Sequence, residues 1–199
     1  LMALATPIVA LIFERGRFTA ADTAATAAAL ACYAPGLVGY SVVKIVVPSF
    51  YALRDSRTPV LVSVAAVAVN VILNLTLVRV IGFRGLALGT AISAIFNASC
   101  LLWLLRIRLG SLDGRLIATA LVKITAAALL MGAAAWTTDY AIALWLPSHA
   151  IRVLALRVVA SIGVALFVLD RAARALHVHE FTDVRGLLMA RLARLRTRA

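Results

Sequence analysis

Residues 86–105, LALGTAISAIFNASCLLWLL, run for twenty positions without a charged side chain, and residues 60–78, VLVSVAAVAVNVILNLTLV, run for nineteen. An apolar run of about 18 residues is long enough for a helix to cross the hydrocarbon of a bilayer. Two such runs joined by a short arginine-bearing loop predict an all-α polytopic membrane protein. Its chemistry is then expected inside helices and at their ends, not in a soluble cleft.

Composition agrees. The chain has 199 residues, of which 64% are hydrophobic, with a mean hydropathy of +1.03. A soluble domain of this length averages about 45–50% apolar residues, so the excess needs lipid or neighbouring helices. The net charge of +12 would fit nucleic acid in a soluble chain. Here the arginines flank apolar runs, so nucleic acid is not an expected partner. Orientation by basic loops and contact with anionic membrane lipids account for the charge. Cys32 and Cys100 are the only cysteines, and both lie in apolar stretches. They form no metal spacing and no disulfide framework.

One truncated and five complete spans are expected. The opening Leu-Met-Ala-Leu falls inside an apolar helix pattern, which reads as a fragment beginning within a span over residues 1–13. After a polar loop, Thr19 or Asp22 is placed to cap a helix from about Asp22 to Leu53. Pro35-Gly36 and Pro48 are expected to break or kink it. Thr58 is expected as the N-cap of the next helix, with Pro59 in its first turn, and that helix continues to about Ile81. Gly82-Phe83-Arg84-Gly85 turns into a helix over 85–106. Further spans are expected over 115–136 and 151–169. Between them, 137–150 reads as a loop with an interfacial apolar patch at Ala143-Leu144-Trp145-Leu146. A basic tail follows from Asp170 to Ala199.

Arg54 and Arg57, then Arg106, Arg108 and Arg115, then the tail arginines, fall on alternate loops and so share one side of the membrane. Basic loops stay cytoplasmic, which predicts a cytoplasmic C-terminus.

No enzyme constellation is visible. Seven of the eight acids, Asp139 included, read as lying at helix ends or in loops, and Asp170 closes the last span. His177 and His179 are two apart and cannot share a helix face, so no metal site is expected, nor any cofactor. Lys44 lies roughly 13 Å along its helix from the following loop. Two readings fit it: facing a protein interior or aqueous cavity, or snorkelling to the headgroups. Snorkelling suits Lys123 better, and Arg157 is similar at the opposite side. Arg152 and Arg157 are also candidates for contact with a lipid phosphate. Asn70 and Asn74 are four apart on one helix face, and Thr90, Ser93 and Asn97 share a face of the next helix. Interhelical hydrogen bonding and the lining of a polar transport cavity both fit these residues. Gly85 and Gly89 form a small-xxx-small pair that permits close helix approach.

At Phe13-Glu14-Arg15-Gly16-Arg17-Phe18-Thr19 the chain begins to resemble the MurJ/MviN family of lipid II flippases. The likeness strengthens over Val43-Lys44-Ile45-Val46-Val47-Pro48-Ser49-Phe50-Tyr51-Ala52-Leu53-Arg54-Asp55-Ser56-Arg57-Thr58-Pro59. It continues through Asn70 to Asn74, Gly85-Leu86-Ala87-Leu88 and Asn97. The resemblance covers most of residues 1–176 and is most specific in the first hundred. It implies the C-terminal part of a fourteen-helix transporter of the multidrug/oligosaccharidyl-lipid/polysaccharide (MOP) exporter superfamily. Residues 1–108 would be the last helices of the second lobe. Residues 109–176 would hold the two extra helices that form a lipid-tail groove, and 177–199 a cytoplasmic tail.

The function so implied is the flipping of lipid II, an undecaprenyl-pyrophosphate-linked peptidoglycan precursor, across the bacterial inner membrane by alternating access. Ion coupling is a possible drive. By depth, Lys44 is the matched cation to place near the substrate route, with Asn70, Asn74 and Asn97 as further candidates. The family's other cavity cations would lie upstream of this sequence. Rival readings are another MOP-superfamily exporter, a membrane-embedded prenyl-phosphate transferase, or a non-transporting membrane fragment. The signature and extra helix pair disfavour the first. The lack of paired acids in the loops disfavours the second.

Overall fold

The computed structural model describes residues 1–110, 114–145 and 151–175. The expected loop at 111–113, Leu146, and the tail with His177 and His179 lie outside the described residues. Among those described, the chain forms seven α-helices and no strand: α1 Ala5–Phe13, α2 Ala20–Tyr33, α3 Gly36–Ala52, α4 Arg57–Ile81, α5 Phe83–Leu109, α6 Gly114–Trp145 and α7 Ile151–Ala175. Five helical stretches are long and apolar enough to cross a membrane: Ala20–Ala52, Arg57–Ile81, Phe83–Leu109, Leu121–Trp145 and Ile151–Ala172. The chain divides into two compact units, Leu1–Leu112 and Asp113–Ala199.

In the first unit, α2, α3 and α4 all pack on α5. The small residues of α5 make this possible. A Cβ at Gly36 would stand 2.7 Å from Cα of Ala91, and one at Gly39 would stand 2.7 Å from C and O of Ala94. On the other side, a Cβ at Gly85 would meet the backbone of Leu77 at 2.5 Å. In lipid, where apolar surface gains little by leaving the solvent, such close backbone contact is a main source of helix association. Larger side chains close the far end, where Val46 and Phe50 of α3 interdigitate with Leu101 and Leu105 of α5. Phe50 and Leu101 are fully buried.

Helix ends follow local hydrogen-bonding chemistry. Thr19 and Asp22 form a reciprocal capping box: the Asp22 N–H donates to Thr19 Oγ1 and the Thr19 N–H to the Asp22 carboxylate. This starts α2 at Ala20. The Pro35-Gly36 break is real. Beyond it Leu37 and Val38 donate to Ala34 and Pro35 at the tighter i→i−3 spacing. Pro48, in contrast, is accommodated inside α3.

The end of α3 is a Schellman motif, in which the Asp55 N–H donates to Phe50 O and the Arg54 N–H to Tyr51 O. It puts Arg54 at φ 58°, the left-handed position that glycine usually takes. The expected Thr58 cap is corrected here. Helix α4 begins at Arg57, and the capping acceptor is Asp55, whose Oδ1 receives the N–H groups of Arg57 and Thr58, each at 3.1 Å. A carboxylate two residues upstream outcompetes the threonine because it can receive both free N–H groups at once.

In the second unit α6 packs on α7. Small buried residues line the contact: Ala127 and Ala135 on α6, and Val158, Ser161, Ala165 and Ala172 on α7. The predicted loop over 137–150 is corrected, since α6 runs unbroken to Trp145. Its polar residues are satisfied within the helical geometry. Thr137 and Thr138 donate back to carbonyls of Ala133 and Ala134, and Asp139 meets Arg157 of α7. The last helix likewise continues past 169 to Ala175, where Arg174 pairs with Asp170 one turn earlier.

Candidate functional site: a polar cleft on three membrane helices

Because α3 and α4 both lean on α5 and touch each other little, the space between them stays open. Two adjoining clefts occupy it, sharing Ser63 and Val67 of α4. The first, of ≈ 360 Å³, is apolar, lined by Val47 and Tyr51 of α3 and by Pro59, Val60, Ser63, Val64 and Val67 of α4. The second, of ≈ 280 Å³, is polar for a membrane interior. Tyr40 comes from α3, Ser63, Ala66, Val67 and Asn70 from α4, and Thr90, Ser93, Ala94 and Asn97 from α5.

A chain of hydrogen bonds forms one wall. Asn74 Nδ2 donates to Asn70 Oδ1 at 3.0 Å, and Asn70 Nδ2 donates to Ser93 Oγ at 3.0 Å and Thr90 Oγ1 at 3.4 Å. The two hydroxyls pass their own protons to backbone carbonyls, Thr90 to Leu86 O and Ser93 to Thr90 O. Two acceptors are left over. Asn74 Oδ1 and Asn97 Oδ1 are both buried without a partner. Gly89 makes room for the first of them, as a Cβ there would stand 2.4 Å from Asn74 Oδ1. An unpaired acceptor in hydrocarbon is unfavourable by about 1–3 kcal/mol, and of the two residues Asn97 is the one that lines the cleft.

The structure thus brings Asn70, Asn74, Thr90 and Ser93 into one network and places Asn97 on the same cleft. Lys44 is exposed on α3. It lies four residues after Tyr40 and seven before Tyr51, on the helix face that carries both cleft-lining tyrosines. Arg152 is exposed near the start of α7, whereas Arg157 is mostly buried and grips Asp139, with Nε to Oδ1 at 3.2 Å and Nη2 to Oδ2 at 3.0 Å. Sequence reasoning missed Tyr40 and Ser63. Period alone puts Ser63 two turns before Asn70 and Tyr40 one turn before Lys44, but that these faces meet at one cleft follows from the packing. It also missed Asp139 as an intramembrane acid, because two threonines and an aspartate in succession read as a loop.

At one end of the α3–α4 hairpin a second polar cluster closes the helices. Asp55 receives Thr58 Oγ1 at 2.5 Å, and Arg108 reaches in from α5 to Asp55 at 2.6 Å and to Thr58 Oγ1 at 3.2 Å. The hydrogen bonds from Thr58, side chain then backbone, hold the Asp55 carboxyl below the usual carboxylate range, with the Arg108 charge adding to them. Among the described residues no group of three or more His, Cys, Asp or Glu could hold a metal ion.

Comparison with known proteins places this architecture. The model of the family "MurJ: Lipid II flippase MurJ" matches residues 1–156. The chain is 39% identical over 104 residues to "Lipid II flippase MurJ" of Burkholderia cenocepacia, covering 52% of this chain and 20% of that protein. It is 35% identical over 101 residues to "Probable lipid II flippase MurJ" of Vibrio cholerae, covering 51% of this chain and 19% of the relative. The aligned part is therefore about a fifth of those relatives' length. The fold is similar to that of the solved structure "Lipid II flippase MurJ, inward closed conformation", with a TM-score of 0.64 and 24% identity over 88% of this chain and 35% of that one. The five apolar helices and this match make the chain a multi-pass protein of the bacterial inner membrane. The chain belongs to the lipid II flippase MurJ family.

Proposed function

We propose that this chain is part of a transporter that moves lipid II, a prenyl-pyrophosphate-linked saccharide-peptide, from the inner to the outer face of the bacterial inner membrane. It is a transporter segment, not an enzyme. The observation that carries this reading is the family match across residues 1–156, which includes every residue of the cleft. Physical chemistry gives the segment its task. A charged, sugar-bearing headgroup cannot cross about 30 Å of hydrocarbon unaided. Two lobes rocking about a cavity expose it to each side in turn. In that scheme α1–α5 supply the end of one lobe. Lys44, the cleft residues Asn70 and Asn97, and Asn74, bonded to Asn70, line the substrate route, where a cation offsets lost hydration of the pyrophosphate. Helices α6 and α7 offer an apolar groove to the prenyl tail.

Three finer readings accompany this. The loops at 54–58 and 106–115 and the tail face the cytoplasm, against anionic lipid. Arg152, exposed near the start of α7, and Arg157 approach lipid phosphates on the opposite side. An ion gradient supplies the drive. The test is a chimera in which residues 1–156 replace the matching segment of the Burkholderia cenocepacia relative, produced in cells depleted of their own flippase. Growth supports the proposal. A chimera that reaches the membrane at normal level yet supports no growth contradicts it.

A further inference from the structure

Asp139 and Arg157 form an ion pair, and the transport scheme has no use for its carboxylate. Both lie inside apolar spans, Leu121–Trp145 and Ile151–Ala172. Their side chains are 16% and 19% exposed, and two parallel N–H···O contacts join them. Depth makes this unusual. From Arg157 to Asp170 the helix rises roughly 20 Å at 1.5 Å per residue, less than the roughly 30 Å hydrocarbon thickness. If Asp170 and its partner Arg174 mark one headgroup boundary, the Asp139–Arg157 pair sits within the hydrocarbon near the other. A lone charge within the hydrocarbon opposes insertion. Only the pair is neutral.

The surroundings fit a fixed geometry. Trp136 stacks on Tyr140 at 5.7 Å and 15° on the same stretch of α6, and aromatic rings of this kind settle at the membrane–water boundary. One turn from Arg157, Ser161 is wholly buried in the helix contact. The other buried side chains there are alanine and valine, small groups that would let one helix slide along the other.

We infer that the Asp139–Arg157 pair is the register lock of the α6–α7 hairpin. The alanine-rich seam brings the helices close without fixing their offset. The bidentate pair fixes it, because a shift by one residue, about 1.5 Å along each axis, breaks both contacts and strands two charges in lipid. The two helices therefore enter the membrane and move as one body. The inference does not rest on lipid II being the cargo.

The experiment uses the full chain in lipid nanodiscs. Trp103→Phe is introduced throughout, so that the remaining tryptophans, Trp136 and Trp145 of α6, report unfolding of the hairpin alone. Asp139→Asn and Arg157→Gln should each lower the folded-to-unfolded ratio of the hairpin at least about tenfold on titration with sodium dodecyl sulfate. The reversed pair, Asp139→Arg with Arg157→Asp, should recover most of that loss. The double neutral variant, Asp139→Asn with Arg157→Gln, should be more stable than Asp139→Asn alone. Single variants as stable as the parent would overturn the inference. So would losses that simply add in the double neutral variant, with no recovery on reversal, since side-chain packing would then explain them.

Discussion

Arg108, one residue from the C-terminal end of α5, places Nη1 2.6 Å from Oδ2 of Asp55 in the loop that precedes α4. The same carboxylate caps the first N–H groups of α4 and receives the Thr58 hydroxyl. One acid therefore ties the end of α3, the start of α4 and the end of α5. Its side chain is 12% exposed.

This predicts how stability depends on pH. The folded-state pKa of Asp55 is depressed, chiefly by the Thr58 hydrogen bonds. Its contribution is therefore complete above the ordinary carboxylate value of about 4, and is lost as pH falls through the lower folded value. In detergent, the melting temperature of the parent should exceed that of Asp55→Asn by a constant margin from neutral pH down to about pH 4. The margin should shrink below that. A margin that grew on acidification would contradict the assignment.

Gly39 and Gly163 should respond in opposite ways to the same change. At Gly39 a Cβ would strike the backbone of Ala94 at 2.7 Å, and the backbone cannot yield without parting α3 from α5. Gly39→Ala is expected to destabilise the first unit by about 1–3 kcal/mol. At Gly163 nothing lies within 4 Å of a Cβ, so Gly163→Ala is expected to be neutral or stabilising by about 0.5–1 kcal/mol. Unfolding in sodium dodecyl sulfate compares the two.

Asn70 is the hub of the cleft wall, bonded to Asn74, Thr90 and Ser93. Asn70→Leu should weaken the α4–α5 contact by about 1–2 kcal/mol, and Ser93→Ala by less. In a double-mutant cycle the two changes should be strongly non-additive, because the Asn70–Ser93 bond is already lost in either single variant and cannot be lost again in the double one. Additive losses would mean that the 3.0 Å contact carries no energy.

Orientation is checked by labelling. A cysteine at Ser111 should react with a membrane-impermeant reagent only after the cells are broken open. Labelling in intact cells would reverse the proposed topology.

Much of the fold could be read from the sequence because lipid makes the hydropathy signal strong. The charge-free runs at 60–78 and 86–105 became α4 and α5, with each end extended by about a turn. Thr19, one of two caps expected, and the small pair Gly85 and Gly89 followed from local rules, and the structure uses both; that Thr19 and Asp22 cap reciprocally, starting the helix at Ala20, is seen only in the structure. Where the reading failed, a residue's partner lay far away in sequence. Thr137, Thr138 and Asp139 read as a loop because Arg157, which neutralises the aspartate, comes from another helix. Thr58 read as the cap because the reach of Asp55 across a left-handed Arg54 depends on backbone geometry that the residue types do not announce. The asparagine faces were legible by period. That Ser63 and Tyr40 join them depends on α3 and α4 standing apart on α5, which only the packing reveals.

Lys44 offers the most direct test of the transport account. It is exposed on the α3 face that carries Tyr40 and Tyr51, within a membrane span, where an ammonium facing lipid is unfavourable. The measurement is the amount of lipid-linked saccharide-peptide accessible at the outer face of cells that depend on the chimera carrying residues 1–156. The account predicts that the chimera restores this outer-face pool, and that Lys44→Ala depletes it at least about tenfold while the amount of protein in the membrane stays near normal. An undiminished pool with Lys44→Ala would remove Lys44 from the route, and a chimera that is inserted normally yet yields no outer-face pool would contradict the proposed function itself.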